Sequence, residues 1–244
     1  MYPKDYWTSV KAAMDGIVVD EAHVIECAAV RCAEVVAGGG ILHVFGTAHS
    51  SAHVAEAFYR AGGLACVNAI LDPLLSVDCG ALLSTWMERQ SGLARLILDR
   101  YDLRPGEPML VFSVSGINDV PVEVAAESRA RGLWVIAVTS RSYCQAAAEE
   151  RGLQKTLITE ADLVIDNHVP IGDAVLPLPG TEFRAASIST VVVALIYNLL
   201  LEQIITRLTR RNFIVPIFAS ANLPGASAHN AQLIARYRGR IRHF

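Results

Sequence analysis

Two short stretches of this sequence concentrate the residue types that hold anions. The first is Phe45-Gly46-Thr47-Ala48-His49-Ser50-Ser51, and the second is Phe112-Ser113-Val114-Ser115-Gly116-Ile117-Asn118-Asp119. Each joins small hydroxyl side chains, a glycine that permits close backbone approach, and the start of a predicted helix. A phosphate placed there receives backbone N–H groups, serine hydroxyls and the positive end of the helix dipole. One such loop by itself reads more often as ordinary helix capping and turn formation than as a ligand site. Two of them on strand ends of the same sheet favour ligand binding. Gly46, Thr47, Ser50, Ser51, Ser113, Ser115, Gly116 and Asn118 are therefore the candidate binding residues.

Loops of this kind need strands beneath them. Short apolar, β-branched runs predict strands at Ile41 to Phe45, Leu64 to Leu71, Met109 to Phe112, Leu133 to Thr139 and Leu163 to Asp166. Between them the pattern predicts helices at Ser51 to Ala61, Leu82 to Tyr101, Asp119 to Gly132 and Tyr143 to Glu150. Two helices divided near Gly16 precede the first strand, and an apolar helix from Phe183 to Leu208 follows the last, after a proline-rich loop. Strands that are apolar on both faces and alternate with helices predict an α/β fold, a three-layer αβα sandwich on a mainly parallel sheet of about five strands. Ligands of such sheets bind beyond the carboxyl ends of the strands, where both loops lie.

The chain has 244 residues, 52% of them hydrophobic and 18% charged, and a formal net charge of -3. That charge argues against broad binding of nucleic acid or of an anionic membrane. The most apolar run, Val191 to Leu201, contains Asn198 and falls short of the roughly 20 residues a membrane span needs. Five cysteines without a C-x-x-C pair point to free thiols in a reducing compartment. The polar start, Met1 to Lys11, lacks the order of a signal peptide. A cytoplasmic location is expected on these grounds.

Other phosphate motifs fit less well. There is no G-x-x-x-x-G-K-[ST], and neither loop contains a lysine. A dinucleotide fingerprint would need glycines where Ala48 and Ser51 stand, although Asp72 keeps a ribose-binding alternative open.

G-T-A-H-S-S after a strand, followed by S-V-S-G-I-N before a helix beginning with proline, resembles the sugar isomerase (SIS) domain family, which shows G-x-G-x-S and S-x-S-G-x-[ST]. Phe58 to Leu64 and Ala221 to Gly225 resemble a bacterial subgroup of it. The resemblance implies that Ser50, Ser113 and Ser115 bind the phosphate of a sugar, with Asn118 in the last position of the second motif. Ala48 departs from the pattern by replacing its second glycine. The implied domain covers residues 1–208. Residues 209–244 form a tail expected to pack on that domain or on a neighbouring subunit.

Isomerisation of a sugar phosphate needs a base beside the carbonyl and an acid for its oxygen. Among SIS proteins the start of the long apolar helix approaches the sugar, which puts Glu182, after Gly180-Thr181, first among catalytic candidates. An acidic residue in a first helical turn is also explained by the helix dipole. His53, three residues after Ser50, and His229, after Pro224-Gly225, are the other two. Each also reads as an ordinary helical or capping residue. His49 and His53 have the i, i+4 spacing of a metal pair but no evident acidic third ligand, so neither metal nor cofactor is expected. The resemblance implies a sugar phosphate ligand, a homodimer or homotetramer, and either an aldose–ketose isomerase or a non-catalytic phosphosugar sensor acting on a partner protein. A Rossmann-type dinucleotide-binding protein is the remaining alternative.

Overall fold

The computed structural model describes residues 4–244. Helices α1 (Lys4–Asp20) and α2 (Ala22–Ala37) come first. Their break lies at Glu21, not at Gly16. Gly16 answers to close approach instead, since a Cβ there would lie 3.0 Å from the His168 ring. The chain then runs through β1 (Leu42–Gly46), a helical turn at Ala48–Ser50, α3 (Ser51–Ala57) and β2 (Val67–Ile70). Next come α4 (Ala81–Met87), α5 (Leu93–Leu98), β3 (Pro108–Phe112), α6 (Asp119–Ala130), β4 (Trp134–Thr139), α7 (Arg141–Arg151), α8 (Leu157–Glu160) and β5 (Leu163–Asp166). A hairpin of β6 (Ala174–Pro177) and β7 (Arg184–Ser187) leads into α9 (Ser189–Arg210), and α10 (Ala226–Tyr237) lies in the tail.

The five long-range strands form one parallel sheet in the order β2-β1-β3-β4-β5. Successive strand residues point to opposite faces, and both faces are covered. Leu42, Val44, Leu110, Phe112, Ile136 and Val138 pack with residues of α1, α2 and α9. Phe45, Met109, Val111, Val135 and Ala137 pack with residues of α5 and α6. Each large side chain buried in these two layers contributes roughly 1.5–3 kcal/mol. This is the αβα sandwich that the strand pattern predicts. Helix α9 is long and apolar enough to cross a membrane by length and composition, yet its buried stripe, from Val192 through Ile196 and Leu200 to Ile204, lies in the core beside α2.

Two further expectations need correction. The single helix over Leu82 to Tyr101 is two short ones, α4 and α5. Gly92 takes φ +88° between them, and its N–H donates to both carboxylate oxygens of Glu123 at 2.9 and 2.8 Å. The apolar helix starts at Ser189 rather than Phe183, because 184–187 pair antiparallel with 174–177. Glu182 therefore stands exposed at the hairpin tip and not in a first helical turn.

The tail packs on the chain's own domain. Leu64 and Ile217 form an antiparallel bridge, flanked by hydrogen bonds from Ala65 N–H to the Pro216 carbonyl and from Phe218 N–H to the Gly63 carbonyl. Beyond α10, Arg240 forks onto Glu107 with contacts of 2.7 and 2.9 Å and also reaches Asp102. Glu107 accepts further hydrogen bonds from the Ile41 amide and from His43 Nε2, whose Nδ1 accepts from Asn68. Burial alone would raise the Glu107 carboxyl, but the His43, Arg240 and Ile41 donors outweigh it and hold it at about 2.

Candidate functional site

The register of the sheet brings the two loops together. Gly46 at the end of β1 is the partner of Phe112 at the end of β3, so Thr47 and Ser113 leave neighbouring strands at the same level. Gly46 is required where the first loop doubles back, because a Cβ would meet the Ser50 carbonyl oxygen at 2.6 Å. Ala48 follows with φ +47°, a left-handed conformation that costs a non-glycine residue about 1–2 kcal/mol. That is the position at which the resembled motif carries its second glycine.

The donors of the loops divide into two groups. Some are used internally: the Ser50 amide donates to the Thr47 carbonyl, the Ser51 hydroxyl to the Ala48 carbonyl, and the Gly116 amide to Ser113 Oγ. The Thr47 hydroxyl is buried and donates to Glu88 Oε2 at 2.8 Å. Others have no protein acceptor among the described residues: the amides of Ser115, Ile117 and Asn118 and the hydroxyls of Ser50 and Ser115. These donors, set at the start of α6 and in the turn before α3, suit an anion.

A cleft of about 210 Å³ adjoins them, lined by His49, Ser50, His53, Val114, Asp173 and Ser189, with Ser187 and Thr190 completing it. The first loop supplies His49 and Ser50, and α3 supplies His53. The second supplies Val114, with Ser113 and Ser115 on either side of it. The far wall is the base of the hairpin and the start of α9. Asp173, at φ +65°, caps that helix: Oδ1 accepts the Ile188 and Ser189 amides at 3.0 and 2.9 Å, and Oδ2 accepts the Ser189 hydroxyl at 2.6 Å. Sequence reasoning did not find Asp173, since a cap reaching across a hairpin has no local signature.

His53 is only 4% exposed and lies against Phe112, ring centroids 5.6 Å apart. Burial pushes its pKa down to about 4, so the imidazole is neutral at physiological pH. Neither ring nitrogen has a protein hydrogen-bond partner among the described residues. Of the three catalytic candidates it alone lines the cleft. His229 is tied to the tail through the Ile217 carbonyl at 2.8 Å, and Glu182 lies at the hairpin tip. Glu56, near the end of α3, pairs with Arg60 just beyond it. No cluster of three or more His, Cys, Asp or Glu suited to a metal occurs among the described residues.

Comparison with known proteins agrees with this architecture. Residues 5–140 match the family model of the SIS domain. A UPF0309 protein of Caldanaerobacter subterraneus is 45% identical over 205 residues, 83% of each chain. Among solved structures, a phosphoheptose isomerase from Francisella tularensis superposes with a TM-score of 0.52 at 16% identity, over 82% of this chain and 95% of that one. The NanR protein of Vibrio vulnificus, complexed with ManNAc-6P, gives 0.50 at 11% identity over 94% of this chain and 67% of its own. At these identities the structural likeness is one of fold.

Proposed function

This chain belongs to the SIS domain family, and from that premise we propose that it binds a sugar phosphate, gripped at the phosphate by Ser50, Ser113, Ser115 and the backbone around Gly46, Ser51, Gly116 and Asn118. The observation that carries this reading is the Gly46–Phe112 register, which sets two loops with unpaired donors side by side. Neutral hydroxyls and amides at helix starts hold a phosphate monoester without a lysine. The sugar then extends over the cleft toward His53 and the start of α9.

The activity we assign is aldose–ketose isomerisation or a related reaction of a sugar phosphate or amino-sugar phosphate. A neutral His53 with free ring nitrogens can take the proton from the hydroxyl-bearing carbon beside the carbonyl and return it to the former carbonyl carbon, while the proton of that hydroxyl passes to the carbonyl oxygen. A second reading, a sensor that binds a phosphosugar without turning it over, is favoured by one feature. The cleft's carboxylate, Asp173, is already engaged by three hydrogen bonds to the start of α9. We place the protein in the cytoplasm, a location supported by its free cysteines. A dimer or tetramer is supported by Leu82 and Trp86 on α4 and Leu96 on α5, all exposed.

A thermal-shift panel of hexose, hexosamine, heptose and N-acetylated sugar 6-phosphates, with NAD alongside, tests the binding. Stabilisation by at least one phosphosugar is expected, and it should vanish in the Ser113→Ala, Ser115→Ala double variant. Stabilisation by NAD and by no phosphosugar would overturn the reading. NMR of the binding mixture then separates turnover from sensing.

A further inference from the structure

We infer that Glu88 is a positioning residue that locks the two loops into a single geometry; the inference rests on reading those loops as the phosphate grip. Glu88 ends α4 and is 7% exposed. Its Oε2 accepts the Thr47 hydroxyl at 2.8 Å, and its Oε1 accepts from Arg89 at 3.1 Å. Its main-chain carbonyl accepts the amide of Val120, in the first turn of α6, at 3.0 Å. One residue thus holds the first loop by its side chain and the helix behind the second loop by its backbone.

The chain of contacts continues into the first loop. The Thr47 carbonyl accepts the Ser50 amide at 2.8 Å and closes the turn that forces Ala48 to positive φ. Holding Thr47 therefore holds Ser50. On the other side, Val120 N–H is one of the donors at the start of α6 that has no partner within the helix. Because Glu88 takes it, and Pro121 has no N–H to offer, the unpaired donors of that end are those of Asp119, Asn118 and the residues before them. Glu88 in this way selects which donors meet the ligand.

A nearly buried carboxylate is a poor choice for filling space between a helix and a strand end. It must be desolvated, and an apolar residue of similar volume would be tolerated as well or better. The Thr47 hydroxyl is likewise turned from the cleft toward Glu88. Both features follow if the pair exists to fix the loop rather than to touch the ligand.

The test uses Thr47→Val, Glu88→Ala and Glu88→Gln, with inorganic phosphate as the probe, titrated by calorimetry. Thr47→Val and Glu88→Ala should each weaken phosphate binding at least 5-fold, and the two together should weaken it no more than the worse of them. Glu88→Gln keeps an acceptor for Thr47 and should lose less than Glu88→Ala. Amide hydrogen exchange supplies a readout independent of ligand: Thr47→Val should speed exchange at both Ser50 and Val120. Wild-type affinity in Thr47→Val and Glu88→Ala, with binding lost in the Ser113→Ala, Ser115→Ala variant, overturns the role of Glu88 and spares the phosphate reading. An undiminished affinity in the serine variant overturns the phosphate reading instead. Unchanged exchange at Val120 in Thr47→Val overturns the coupling whatever the affinities, and this isosteric variant carries the test if Glu88→Ala fails to fold.

Discussion

Gly116 and Thr139 approach so closely that a Cβ on the glycine would lie 2.7 Å from Thr139 Oγ1, and 3.0 Å from the Cys144 sulfur beyond it. The second loop is pressed against the end of β4 and the start of α7 at this point, with Gly116 at φ +62°. The Thr139 hydroxyl donates to the Val114 carbonyl at 3.1 Å, so it cannot swing away without releasing the loop.

Gly116→Ala should therefore cost roughly 2–4 kcal/mol, from the positive φ together with the overlap. Denaturant unfolding measures the loss, and phosphosugar affinity should fall with it. A stable variant with intact binding would show that the loop can move aside.

Ala48→Gly should have the opposite sign. Relief of the left-handed alanine, about 1–2 kcal/mol, exceeds the 0.5–1 kcal/mol by which glycine favours the unfolded chain. A gain of roughly 0.5–1 kcal/mol is expected, read in calorimetry as a rise of about 1–4 °C in Tm. A fall in Tm would mean that the first loop does not strain Ala48.

The pH dependence follows from His53. Its folded pKa, about 4, lies below the ordinary 6.5, so the unfolded chain binds the proton more readily. Its contribution is fully present above pH 6.5, declines as the pH falls from 6.5 to 4, and amounts to something on the order of 3 kcal/mol. His43 is lowered by burial against the pull of Glu107 and acts in the same direction. Without ligand, Tm should drop across this window, and His53→Gln should show a shallower drop than wild type. Equal slopes would remove His53 as the titrating group.

Arg240→Met should cost about 3 kcal/mol, because it leaves the Glu107 carboxylate buried without its forked partner. Adding Glu107→Gln should recover part of the loss, since the uncompensated charge is then gone. Chemical denaturation of the single and double variants measures both, and a single-variant loss below about 0.5 kcal/mol would contradict the pairing seen at 18% and 7% side-chain exposure.

The sandwich and the two loops were legible because their signals are local. Strands such as Leu163 to Asp166 are bounded apolar runs, and Gly46 with Ser50, or Gly116 with Asn118, sits directly between a strand and a helix. What escaped depends on distant partners. Arg184 to Ser187 carry no strand alternation and run without a breaker into the apolar helix, so the hairpin and the start of α9 depend on pairing with 174–177 and on the Asp173 cap. Glu88 reads locally as one more charged helical residue; only the meeting of α4 with Thr47 shows it buried. The break before α5 needs Glu123, whose reach to Gly92 no spacing rule foretells.

The Arg240–Glu107 fork also has a consequence in time. Glu107 leads into β3, in the middle of the sheet, whereas Arg240 is synthesised long after every strand of that sheet. A chain emerging from the ribosome can stack its five strands while the charge beside His43 still awaits its counterion. The sheet is completed electrically only when translation has passed Arg240, so a nascent or truncated chain that stops short of it lacks the forked partner of the Glu107 carboxylate.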